Sequence, residues 1–126
     1  MVDVTCAIII NDNKILVTQR SEKMKLPLKW EFPGGKLENG ESEIECIVRE
    51  IKEELNIKII VIEKMSSSIF DYGNFQINLI PFIANYYSGE IKLLEHKEYK
   101  WVDKNEMTLL DWAEADLPIL KEFLNK

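Results

Sequence analysis

Hydrophobic positions along the chain follow two periods, one typical of strands and one of helices. Val2 to Ile10 and Lys14 to Gln19 are rich in β-branched and aliphatic residues and flank Asn11-Asp12-Asn13, which predicts a β-hairpin. Ser21 to Lys29 interrupts this with four charged residues and Pro27, and reads as an exposed loop. Trp30-Glu31-Phe32 predicts a short strand running into a glycine loop at Pro33-Gly34-Gly35. The period then changes: Ile44, Ile47, Val48, Ile51 and Leu55 recur at helical spacing and predict one buried stripe. Ser42 is a good N-cap, with Glu45 three residues on to complete a capping box. Asn56 tolerates the left-handed conformation that ends helices. These signals predict a helix of about thirteen residues, roughly 20 Å long.

Strand-like runs resume at Ile57 to Met65, Ser66 to Tyr72 and Phe75 to Tyr87, the last two separated by Gly73-Asn74. Glu90 to Leu94, after a Ser88-Gly89 turn, and Tyr99 to Val102 read as two further strands, and Lys104 to Leu109 as a short helical turn. Leu117, Leu120, Phe123 and Leu124 mark a final helix, with Pro118 tolerable in its first turn. The order of elements predicts a single α/β domain over residues 1–126, a mixed β-sheet packed between two helices.

Charge changes this picture because it is concentrated. Of a net charge of -6, the segment Glu38 to Glu54 holds -5, from seven glutamates against Arg49 and Lys52. An acidic balance argues against binding nucleic-acid polymers or anionic membranes, both of which need basic patches. No signal-peptide pattern and no apolar run of membrane-spanning length occurs, so a soluble cytoplasmic protein, monomer or homodimer, is expected. Cys6 and Cys46 are too few for a disulfide framework and lie in apolar stretches, which predicts buried thiols.

Glu50, Glu53 and Glu54 stand at i, i+3 and i+4, so like charges crowd one face of the predicted helix. Such a face is either solvated or holds a cation, and hard divalent ions such as Mg²⁺ or Mn²⁺ suit carboxylate oxygens. Arg49, just before the cluster, is placed to hold a carboxylate such as Glu41 through its planar fork.

Gly35, Glu41, Arg49, Glu50, Glu53 and Glu54, with aliphatic Ile51 and Ile57, resemble the signature of the Nudix hydrolases. That signature reads Gly, five residues, Glu, seven residues, Arg-Glu, an aliphatic, any residue, Glu-Glu, any residue, Gly, an aliphatic; Asn56 replaces its second glycine. The resemblance extends through Ile15-Leu16-Val17-Thr18-Gln19-Arg20, Trp30 to Lys36, Glu95-His96 ahead of Trp101, and Ala115-Asp116-Leu117-Pro118. These stretches are similar to the MutT-type nucleoside triphosphate pyrophosphohydrolases, and among them most similar to bacterial CTP pyrophosphohydrolases.

The resemblance implies an α/β/α sandwich and a metal-dependent hydrolysis of (deoxy)nucleoside triphosphates to monophosphate and pyrophosphate, acting on CTP-like or oxidised nucleotides such as 8-oxo-dGTP. Other nucleoside diphosphate derivatives, such as dinucleoside polyphosphates or nucleotide sugars, and a non-catalytic nucleotide-binding domain are the alternatives. Carried over by position, the metal ligands fall on Glu50, Glu53, Glu54 and the Gly34 carbonyl, joined by Glu95 or, failing that, Glu98; a solvent-facing acid is the other reading of these last two. Glu50 is the first choice for general base, with Glu53 and Arg49 beside it. Arg20 and Lys36 fall where phosphate is contacted, or are surface cations. Phe32 and Tyr72 either stack on a base or belong to the core, and the same holds for Trp30 and Trp101. His96, the only histidine, reads as a loop or core residue. Asp116 either reads the base, where as an ionised group it would only accept hydrogen bonds, or caps the last helix.

Overall fold

A computed structural model describes residues 1–126. Its centre is a pair of long strands, β1 (Val2–Asn11) and β7 (Gln76–Ser88), which run parallel from Val2↔Ile77 to Ile10↔Asn85. All other pairings between strands are antiparallel, and they fork. On its outer side β1 pairs with β2 (Lys14–Gln19) near one end and with β4 (Gly34–Lys36) near the other. β7 likewise pairs with β5 (Lys58–Lys64) over one half and with β6 (Ser68–Asp71) over the other. Pro81 stands where β7 forks; it has no N–H to give a ladder, while its carbonyl accepts from Met65. β3 (Trp30–Glu31) and β8 (Glu98–Val102) both pair with β2, completing a mixed sheet of eight strands.

The apolar run in β1 is explained by burial on both faces of the sheet. Cys6 and Ile8 join one core with Trp30, Phe32, Ile119 and Phe123; Ala7 and Ile9 join the other with Ile47, Ile51 and Leu55. Helix α1 (Glu43–Leu55) covers the second face, while α2 (Lys104–Met107) and α3 (Leu117–Leu124) lie on the first. The result is the expected α/β sandwich with a third, short helix. The first hairpin closes through Asp12 and Asn13, both at positive φ, the backbone of a tight two-residue turn.

α1 begins and ends as its sequence predicts. Ser42 Oγ accepts from Glu45 N–H while the Glu45 carboxylate accepts from Ser42 N–H, and Asn56 sits at φ 61°. The buried stripe differs from expectation. Cys46, Ile47, Ile51 and Leu55 are buried, whereas Ile44 is 51% and Val48 36% exposed. Small Cys46 turns inward instead, its thiol against Thr5 Oγ1 at 3.2 Å, because β1 and β4 approach the helix closely there.

Three further expectations are corrected. Gly34–Lys36 is a strand and not a loop: a Cβ on Gly34 would fall 1.9 Å from the Thr5 carbonyl, so the missing side chain lets β4 close on β1. Phe32 lies just beyond β3. Glu90–Leu94 forms no strand; its Lys92 and Leu94 amides donate to the Leu55 and Glu54 carbonyls, satisfying the orphan end of α1. Both cysteines are buried and free, as expected.

Candidate active site

The signature residues of α1 are organised by one cation. Arg49 forks onto Glu41, with Nε 2.9 Å from Oε2 and Nη2 2.8 Å from Oε1. Its Nη1 donates to Glu50 at 2.9 Å and Glu53 at 3.0 Å, and Nη2 also reaches the Lys36 carbonyl. Glu41 accepts a further bond from the Glu38 amide, and these donors, Arg49 foremost, hold its carboxyl down to about 2. The same carboxylates raise the Arg49 guanidinium above its ordinary range. Glu50 differs: burial pushes its pKa up in spite of Arg49. Its carboxyl group lies under Gly35, where a Cβ would come within 2.2 Å of it. The Gly35 requirement is thus set by Glu50.

A cavity of about 260 Å³ opens beside this cluster, walled by residues from distant segments. Arg20, Phe32, Gly34, Lys36, Glu54, Tyr72, Glu95 and Asp116, all expected at the site, line it. Glu50 and Glu53 do not; the first is packed beneath Gly35 and the second lies outward, its side chain 55% exposed. Glu98 lies on β8 away from the cavity, which leaves Glu95 as the later acid there. Phe32 is 3% exposed and packs on Trp112 with ring centroids 4.8 Å apart, so it is core and cavity wall at once. Tyr72 is partly exposed and stacks on Phe75, a cavity residue that the hydrophobic pattern placed at the start of a strand.

Asp116 makes no capping bond to α3. Its Oδ2 instead accepts the Phe32 amide at 2.8 Å, and burial, with Glu31 adding to it, pushes the acid up to about 8. That shift favours the protonated carboxyl, which both donates and accepts, over the acceptor-only carboxylate; the capping role is the one the structure excludes.

Glu31 is the residue that sequence reasoning passed over. It joins Arg20 Nη1 at 2.7 Å to His96 Nε2 at 2.8 Å, while the amide of its neighbour Phe32 holds Asp116. The available signal was an acid between two buried aromatics, Trp30 and Phe32. His96 is buried, in keeping with a core residue.

No group of three or more acidic, histidine or cysteine side chains is gathered closely enough to hold a metal, since Arg49 draws Glu50 and Glu53 to itself. The donor chemistry nonetheless fits a hard divalent cation. Glu54 is raised by burial, eased by His96 and raised again by Glu95, Glu50 and Glu31, a crowding that a cation would relieve.

A NUDIX domain model matches residues 1–123. The chain belongs to the Nudix hydrolase family. This Nudix hydrolase is 35% identical to the CTP pyrophosphohydrolase of Escherichia coli K12, over 98% of this chain and 92% of that one. It is 28% identical to the 8-oxo-dGTP diphosphatase of Haemophilus influenzae, over 100% of this chain and 93% of the relative. The solution structure of the Escherichia coli ORF135 protein superposes with a TM-score of 0.88 at 33% identity, covering 99% of this chain and 89% of that one. No helix of this Nudix hydrolase is long and apolar enough to cross a membrane.

Proposed function

We propose that this Nudix hydrolase cleaves (deoxy)nucleoside triphosphates to monophosphate and pyrophosphate, with CTP-like or oxidised nucleotides as substrates and Mg²⁺ as cofactor, replaceable by Mn²⁺. The observation that carries the reading is the cavity, in which Arg20 and Lys36, the carboxylates Glu54 and Glu95, and the base-reading candidates Asp116 and Tyr72 face one space. In this reading Glu50, Glu53, Glu54, Glu95 and the Gly34 carbonyl would hold the metal, which would supply charge neutralisation at phosphate oxygens and a lowered water pKa.

The chain's own residues supply the rest. Glu50, with a pKa raised by burial, accepts the proton of the attacking water, and Arg49 holds Glu50 and Glu53 in place. Arg20 and Lys36 contact the phosphates. Asp116 has one oxygen committed to the Phe32 amide, and burial favours a protonated carboxyl whose other oxygen can donate. The free oxygen, as an O–H donor, matches the N3 acceptor of cytosine. The similarity to a CTP pyrophosphohydrolase supports that choice, and the similarity to an 8-oxo-dGTP diphosphatase supports oxidised guanine as the competitor.

The test is release of pyrophosphate and of phosphate over a panel of normal and oxidised triphosphates, dinucleoside polyphosphates and nucleotide sugars. Pyrophosphate from CTP, dCTP or 8-oxo-dGTP at the highest kcat/KM is expected. Faster cleavage of a nucleotide sugar or dinucleoside polyphosphate would replace the substrate class, and no turnover of any member with Mg²⁺ would leave only nucleotide binding.

A further inference from the structure

His96 has no part in the chemistry described above, yet it lines the same cavity. The side chain is 2% exposed and lies between two carboxylates from different parts of the fold. Nε2 is 2.8 Å from Glu31 Oε2, and Nδ1 is 3.7 Å from Glu54 Oε2, just beyond hydrogen-bond length. Nδ1 is the one buried side-chain nitrogen or oxygen without a hydrogen-bond partner. Buried polar atoms are almost always partnered, so an orphan aimed at a carboxylate points to a relation with that carboxylate.

The surrounding backbone holds the ring in that place. Leu94 N–H donates to the Glu54 carbonyl at 3.1 Å, and Lys97 N–H donates to the Gln19 carbonyl at 3.0 Å. His96 is thus suspended between the last turn of α1 and the last residue of β2, and Arg20 follows β2 directly. Since Glu31 gives its other oxygen to Arg20, the side chains Arg20, Glu31, His96 and Glu54 form one line along the cavity.

We propose that His96 is a positioning residue: it holds Glu54 and Glu31 in fixed relation, so that the cation-binding end of α1 and the phosphate-contacting Arg20 keep one register. The proposal rests on the reading of Glu54 as a metal ligand. Phenylalanine at this position would fill the same space but carry no polar atom, whereas glutamine would restore one donor.

The experiment measures Mn²⁺ binding to the full, nucleotide-free chain by electron paramagnetic resonance, with folding checked by circular dichroism. His96→Phe is expected to weaken Mn²⁺ binding about 10-fold or more, the usual effect of losing a group that orients a ligand, and His96→Gln to recover part of the loss. In the double variant with Glu54→Gln, removing His96 should cost little further, because its effect passes through Glu54. A folded His96→Phe that binds within about twofold of wild type while Glu54→Gln binds about 10-fold weaker overturns the positioning role alone. Additive losses in the double variant overturn it too. Wild-type binding by Glu54→Gln overturns the metal reading beneath it. If His96→Phe does not fold, the same cycle is run with His96→Gln, and additivity there is equally decisive.

Discussion

Two clusters of acids flank the same stretch of chain and behave oppositely. Around Arg49, three carboxylates from Glu41 to Glu53 share one guanidinium, and Glu41 is held down to about 2. Around the cavity, no guanidinium hydrogen-bonds Glu54 or Asp116, Arg20 being paired with Glu31, and burial raises both, Asp116 to about 8. A carboxyl group's protonation here is decided by its donors and its access to water. The first cluster is satisfied and scaffolds α1. In the second, Glu54 stands half-buried against Glu95, Glu50 and Glu31, a crowding that a bound cation would relieve.

The largest expected effect lies at the border between the two. Glu50 touches Arg49 yet is raised by burial, and Glu50→Gln is expected to lower turnover about 10²–10⁴-fold, the range for a positioned base, with the fold retained. Wild-type rates of pyrophosphate release would return Glu50 to the scaffold. Arg49→Ala should break the satisfied cluster, lowering stability by about 1–3 kcal/mol in urea unfolding as its charged hydrogen bonds are lost. Unchanged stability would mean that solvent replaces the fork at no cost.

The pH dependence of stability separates the clusters by sign. Glu41 has a lowered folded pKa, so its contribution is present above about 4.5 and is lost as pH falls towards 2. Asp116 has a raised folded pKa: the unfolded chain ionises near 3.8 while the folded chain keeps its proton to about 8, so stability falls as pH rises between these values. Asp116→Asn should remove that decline in a series of melting temperatures and flatten the pH dependence of substrate ranking above about pH 7. Parallel curves for variant and wild type would show that Asp116 is ionised throughout. The smallest effect is expected at Ile44→Ala on the exposed side of α1, within about 0.5 kcal/mol, against about 2–5 for buried Ile47→Ala.

What was legible in advance follows the range over which each cause acts. The hairpin turn at Asp12-Asn13, the capping box at Ser42 and the stop at Asn56 rest on contacts within a few residues, and all three stand as expected. Ile44 and Val48 depart from the expected stripe because helical spacing marks a stripe but not how wide a stripe the sheet covers, and small Cys46 meets β1 in their place. Glu90–Leu94 looks like a strand locally but is none, because its backbone partners are the last carbonyls of α1, tens of residues away. Asp116 does not cap α3 because the Phe32 amide, 84 residues earlier in the chain, holds its carboxyl group.

By itself, the sequence determined the reaction family, the helix that carries the signature and the concentration of acid along it. Those depend on residue types at short, regular spacing, where helix geometry alone sets which groups converge. Only the tertiary structure decided which acids are shielded from water, which meet Arg49, and how Arg20, Glu31, His96 and Glu54 line one cavity. Burial and long-range partners govern those outcomes, and both are created when the forked sheet closes around its two cores.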